Sequence, residues 1–315
     1  MGMLSLAIIK LTLIALFGFC LYKKTIIKQE TLDFLTFFII NFSIPFLIFS
    51  NLIENSNTVL DNHLMQFMIA SLAIFLVGYF FGTALLFKKG TESKKEFLSL
   101  VSLQNAGYLP MNIVLFFFPQ NLREQFLVYI FLYLLGFNIL MWSIGSFFIF
   151  RKEKEKFKIK EFFTPPVTAT FIALFFVYTH TARFIPSLVL SPIKMIGQTS
   201  FVVSMVVLGC WLAKVKLQGI AKKLFVIGQA AFIRLAVVPF VFLVLIMFFR
   251  AYSFFWFFIL LEAAMPSAAS LPIVVSARGA DSEFVSQGVF ATHILCIFTV
   301  PLWLGIYIKF AGPLF

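Results

Sequence analysis

Charge is what this chain most lacks. Of its 315 residues only 12% are charged, 13 of them acidic, where a soluble domain carries roughly 25% charged residues. Histidine and cysteine occur 3 times each. Cys20, Cys210 and Cys296 each lie inside an apolar run and match no metal-ligand spacing, which argues against a disulfide framework or a zinc site. No Walker loop, no G-x-G-x-x-G and no H-E-x-x-H is present, so the sequence carries no enzyme motif. What it has in abundance is apolar surface: 61% hydrophobic and 18% aromatic residues, including 46 phenylalanines. One core could not hide that much, and the natural solvent is lipid. Most of the phenylalanines are expected to be lipid-facing bulk.

A bilayer core needs about 20 apolar residues per helix. Ten runs meet that length, at 3–22, 32–53, 64–87, 97–118, 125–150, 162–180, 188–213, 224–249, 253–276 and 284–308. The first could be mistaken for a signal peptide. Lys10 interrupts it, however, and no small-residue cleavage site follows, so a membrane helix is the better reading. The expected class is an all-α polytopic membrane protein.

Most of the 25 Lys+Arg fall in alternate loops: Lys23, Lys24 and Lys28; Lys88, Lys89, Lys94 and Lys95; Arg151 to Lys160; Lys214, Lys216, Lys222 and Lys223; and Arg278. Basic residues mark cytoplasmic loops, so both termini are expected on the outer side of a cell (inner or plasma) membrane. The net charge of +12 then faces anionic lipid; membrane lipid is an expected partner and nucleic acid is not. The longest connection, "RKEKEKFKIKE" at 151–161, separates 1–150 from 162–315. Each part holds five spans. Five is odd, so two such repeats would have opposite orientations, an architecture recurrent in transporters.

Two spans are interrupted at mid-depth, the fourth by "LQNAGYLPMN" (103–112) and the ninth by "EAAMPSAASLP" (262–272). Proline removes a donor and clashes with the preceding turn. Freed backbone groups in lipid must be satisfied by protein, water or ligand. A broken helix also presents a half-helix N-terminus with partial positive charge, and two of these at the midplane would form an anion site. The candidate substrate-binding residues are Gln104, Asn105, Gly107, Pro110, Pro266 and Ser267. Gly107 is expected to let another chain approach, and Pro110 and Pro266 to mark the half-helix ends.

The segments "FFIINFSIPFLIFSNL" (37–52), "NAGYLP" (105–110), "FNILMWSIG" (137–145), "FTPPVTATFIAL" (163–174) and the stretch from Ala263 to Pro301 resemble, in order and rough spacing, the auxin efflux carrier family. The resemblance covers nearly the whole chain, and 263–301 is its most specific part. It implies two inverted five-helix repeats, crossing of the broken fourth and ninth helices, and transport of small organic carboxylates by an elevator-like motion. It also implies that Asn105 matches the family's substrate-contacting asparagine. Many members place their fourth-helix proline further from that asparagine; here Pro110 follows Asn105 by five residues. Many also have a seventh-helix proline where this chain reads "TSFVVSM".

Ionisable residues inside a membrane are functional candidates by default. Glu262 directly precedes the second break, and Arg234 lies mid-span in the eighth helix. Three roles stand open for Glu262. It can form a structural ion pair with Arg234, carry a coupling proton, or act as a sodium ligand, as in the distantly related bile-acid sodium symporters, which place a glutamate at a similar point. Arg234 is its partner or a second anion contact. His293 reads as a satisfied core histidine, and Lys10 and Lys194 as snorkelling side chains. Asn41 and Ser43 in the second span and Gln198, Thr199 and Ser200 in the seventh either line a pathway or join helices.

No resident cofactor is expected; the implied ions are sodium or the proton. The expected function is secondary transport of a small organic anion. A membrane receptor or sterol sensor on the same scaffold is the alternative, and a second copy of the chain is a candidate partner.

Overall fold

Long apolar segments in lipid satisfy their backbone internally by forming helix. A computed structural model describes residues 2–60, 64–86, 93–142, 148–150, 163–215, 220–277 and 279–311. In chain order these form α1 (Gly2–Lys23), α2 (Gln29–Phe38), α3 (Ile44–Glu54), a short α4 (Ser56–Leu60), α5 (Leu64–Leu86), α6 (Lys94–Ser102), α7 (Tyr108–Phe117) and α8 (Gln120–Trp142). Then come α9 (Pro165–Tyr178), α10 (Ser187–Lys214), α11 (Ile220–Phe232), α12 (Val238–Phe248), α13 (Phe254–Ala264), α14 (Leu271–Ala277) and α15 (Ser282–Ala311). Among the described residues there is no β-strand, and the molecule is an all-α polytopic membrane protein. The expected basic linker at 151–161, with Arg278, lies outside the described residues.

Among the described residues six stretches are long and apolar enough to cross a bilayer: Gln29–Glu54, Leu64–Leu85, Leu122–Met141, Ser187–Lys214, Lys223–Phe248 and Ser282–Ala311. The expected fourth span is divided into α6 and α7, and the ninth into α13 and α14.

Two spans bend without breaking. A π-turn at Ile39–Ser43 joins α2 to α3, and one at Ile233–Val237 joins α11 to α12. In each, a proline (Pro45, Pro239) stands at the second residue of the following helix and withdraws a donor. The chain answers with five-residue hydrogen bonds, Ile44 N–H to Ile39 O and Val238 N–H to Ile233 O. The carbonyl of Leu235, four residues before Pro239, accepts instead from Trp303 Nε1 at 2.7 Å. By contrast α10 runs unbroken through the "TSFVVSM" stretch.

The helices pack chiefly in two groups. In one, α1 lies against α10, and α3 against α9 and α10. In the other, α5 packs on α6 and α8, while α15 packs on α6, α11, α13 and α14. The groups meet where α7 touches α1 and α10, α8 touches α3 and α9, and α15 touches α1. Glycine allows the tightest contact, as is usual between membrane helices. A Cβ on Gly209 would stand 1.8 Å from Ala15 O, and one on Gly18 would stand 2.1 Å from Val206 O. Ser43 Oγ and Thr199 Oγ1, 3.0 Å apart, hydrogen-bond the second expected span to the seventh. Lys194 pairs with Glu54 at 2.6 Å.

Phenylalanine serves two purposes. Phe80, Phe175, Phe248 and Phe298 are exposed and suit lipid. Phe67, Phe118, Phe126, Phe257 and Phe258 are fully buried, and Phe118 and Phe126 stack at 4.1 Å. Lipid-facing bulk therefore describes only part of the phenylalanine content, because aromatic faces also fill the seam between α5, α8 and α13.

Candidate functional site

Between α6 and α7 the chain is extended, as it is between α13 and α14. The two extended segments cross antiparallel, with Gln104 opposite Ser267. Asn105 N–H donates to Pro266 O at 2.7 Å, and Ala268 N–H donates to Leu103 O at 2.9 Å. Each break thus supplies hydrogen bonds that the other lost. Ser267 completes the joint: its Oγ donates to Leu100 O at 2.7 Å, and its N–H reaches Thr292 Oγ1 at 3.3 Å.

The side chains around the crossing are buried but incompletely paired. Gln104 Nε2 donates to the Tyr133 hydroxyl, while Gln104 Oε1 has no partner. Asn105 Oδ1 accepts from Leu109 N–H at 3.4 Å, and its Nδ2 lies 3.2 Å from His293 Nε2. His293 Nδ1 lies 2.8 Å from Val289 O. A carbonyl only accepts, so Nδ1 carries the proton and Nε2 accepts from Asn105.

Gln104, Asn105 and Gly107 line a cavity of about 250 Å³, together with Tyr108, Ala268, Ala269 and Ser270. Its other walls are Leu134, Phe137, Asn138 and Met141 of α8, Ile40 and Ile44 of the second span, and Thr164 to Pro166 at the start of α9. The cavity therefore lies between the two helix groups, with the crossing as one wall. Pro110, Pro266 and Ser267 do not line it.

The half-helix starts also differ from expectation. The fourth-span half begins at Tyr108, two residues before Pro110, and the ninth-span half begins at Leu271, with Pro272 rather than Pro266 in its first turn. Proline fits any first-turn position, where its missing N–H is not needed, so spacing could not choose between the two. Gly107 does not mediate a close approach, since a Cβ there would sit at an ordinary 3.6 Å from Leu134 Cδ2.

Arg234 and Glu262 are both fully buried, yet among the described residues no salt bridge joins them. Arg234 instead donates to three carbonyls: Nε to Met265 O at 3.0 Å, one terminal nitrogen to Val101 O at 3.3 Å, and the other to Ala263 O. Val101 and Ala263 lie in the last turns of α6 and α13, and Met265 caps α13. Neither carboxylate oxygen of Glu262 has a hydrogen-bond partner. The π-turn explains the missing pair. It turns Arg234 toward the helix ends, whose carbonyls lack intrahelical partners and compete for the same donors. Arg234 does not line the cavity.

The profile of the membrane transport protein family matches residues 3–161 and 149–304, which together take in almost the whole chain. The chain belongs to this family, that of the auxin efflux carriers. No curated protein matches it. Among its described residues no three His, Cys, Asp or Glu side chains gather as metal ligands.

Polar groups beyond those expected from the sequence also reach the crossing. Asn138 and Ser270 line the cavity, and Tyr133 holds Gln104. Asn138 stands within the "FNILMWSIG" segment and was detectable as a lone polar residue deep in an apolar run. Nothing local marks Tyr133, one of 8 tyrosines.

Proposed function

We propose that this membrane transport protein is a secondary transporter of a small organic anion, working by elevator-type alternating access, with Glu262 as the residue that exchanges a coupling ion. The observation that carries the reading is the cavity walled by the crossing of two broken spans. Its polar lining consists of the amides Gln104, Asn105 and Asn138, the hydroxyls of Ser270, Tyr108 and Thr164, and the N-terminal end of α7. A half-helix start favours negative charge. Among the described residues no aspartate or glutamate lines the cavity, so a carboxylate would meet donors on these walls.

The position of the cavity between two helix groups supports the elevator motion. The group containing both broken spans would slide against α1, α3, α9 and α10, carrying the substrate with it. With the basic loops cytoplasmic, Met141 and Thr164 lie toward the cytoplasmic side, and the cavity would face inward in this arrangement. The inverted repeat of 1–150 and 162–315 belongs to the same proposal.

Glu262 supports ion coupling because a buried carboxylate without hydrogen bonds calls for a neutralising partner. A proton or a sodium ion could serve. The direct test is ligand-induced thermal stabilisation of the purified protein across a panel of mono- and dicarboxylates. Selective stabilisation by one class, reduced by Asn138→Ala, is expected. A flat response to the whole panel, with stabilisation by sterols or other neutral lipids instead, would favour a sensor on this scaffold.

A further inference from the structure

Three nitrogens of one guanidinium engage three main-chain carbonyls at the crossing. Val101 closes the first half of the fourth span, and Ala263 and Met265 close the first half of the ninth. Unwound carbonyls and half-helix C-terminal ends are the groups with which transporters of this architecture hold a cation. Here the carbonyls already hold one. We propose that the Arg234 guanidinium is the resident cation of the crossing. It occupies the position a sodium ion would need, so this chain folds and cycles without sodium.

Charge arithmetic supports the assignment. Each half-helix C-terminus carries roughly half a negative charge, so two of them sum to about one unit. A guanidinium supplies one positive charge and never deprotonates in a protein. The end-on pair is therefore balanced without an added ion, and a second cation among the same carbonyls would be repelled. Each of the three Arg234 nitrogens donates an N–H to backbone, and among the described residues no salt bridge reaches the Glu262 carboxylate.

The local fold is arranged to deliver this side chain. Arg234 sits inside the π-turn at Ile233–Val237, a wide turn of the kind that collects at functional sites. Trp303 holds the same turn through Leu235 O at 2.7 Å. Among the described residues the ionisable groups within electrostatic reach of Glu262 are Arg234 and, from α8, Tyr133. This inference rests on the transporter reading and narrows it, removing sodium from the candidates for the ion that Glu262 exchanges.

The test compares wild type, Arg234→Lys and Arg234→Gln as purified full chains, each melted in sodium chloride and in choline chloride. Wild type and Arg234→Lys should melt at the same temperature in both salts. Arg234→Gln should melt lower in choline, by roughly 5–10 °C, and recover part of that loss in sodium, which then enters the vacated site. A sodium-dependent rise in wild type overturns the proposal, as does an Arg234→Gln protein that sodium does not move. If Arg234→Gln fails to purify, the sodium titration of wild type still decides between the two outcomes. None of these melts needs a substrate. Failure of every carboxylate to bind would therefore sink the transport reading without touching this result.

Discussion

The amide N–H of Asn105 donates to the carbonyl of Pro266 across 2.7 Å. That one contact joins the fourth expected span to the ninth, far apart in sequence, at the point where both lose their helix. It also fixes the Asn105 side chain, which reaches Leu109 N–H on one side and His293 on the other. The two broken spans are tied at this point, and Asn105 stands both in the joint and in the cavity wall.

Asn105→Ala should weaken carboxylate affinity by roughly 10–100-fold, the loss expected for a hydrogen bond to a charged partner of about 1.5–3 kcal/mol. The backbone bond to Pro266 does not depend on the side chain, so the protein should remain folded. Calorimetric titration with the stabilising carboxylate checks this, and an unchanged dissociation constant removes Asn105 from the site.

Glu262→Gln separates two roles. Because the Glu262 carboxylate has no hydrogen-bond partner, its neutral isostere should leave the melting temperature unchanged or raise it. Gradient-driven accumulation should be lost while substrate exchange persists. A large fall in melting temperature would return Glu262 to a structural role.

The loop preceding α15 makes a pH-dependent contribution. Burial alone would raise the Asp281 carboxyl, but the Phe284 N–H and Lys223, each at 2.9 Å, hold it below the usual carboxylate range. A depressed carboxylate stabilises the fold above its unfolded value of about 3.9, and this is lost as pH falls through the lower folded value. Asp281→Ala should cost about 1 kcal/mol as a lost helix cap near neutral pH and progressively less at acid pH. Melting curves against pH compare the two proteins; parallel profiles down to acid pH would contradict the assignment.

Two glycines give opposite expectations. Gly209→Val drives a side chain into the Ala15 carbonyl and should destabilise the α1–α10 contact by roughly 1–3 kcal/mol or more. Gly228, with nothing within 4 Å of a built Cβ, should accept alanine and gain roughly 0.5–1 kcal/mol of helix stability. Monodispersity and melting temperature in detergent read both.

Hydropathy is a local property, and so the spans were legible: α1, α5 and α15 begin and end within a few residues of the expected 3–22, 64–87 and 284–308. The two breaks were legible for the same reason, because proline and small polar residues are visible in a short window. What Arg234 touches was not. A pair with Glu262 is one of the roles its sequence position leaves open, but the carbonyls it binds appear only when two distant helices end side by side. Sequence alone places Pro266 at a helix start, because proline fits there; its carbonyl instead accepts from Asn105, across a crossing that no window contains. Tyr133, one tyrosine in an aromatic span, has no distinguishing pattern until Gln104 is set against it.

The most direct measurement is uptake of radiolabelled carboxylates into liposomes containing the purified chain, with proton and sodium gradients imposed separately. The account predicts saturable uptake of one carboxylate class, reduced by Asn105→Ala, driven by a proton gradient and indifferent to sodium. Absence of uptake for every carboxylate under both gradients, from protein shown to be folded by its melting curve, would contradict it.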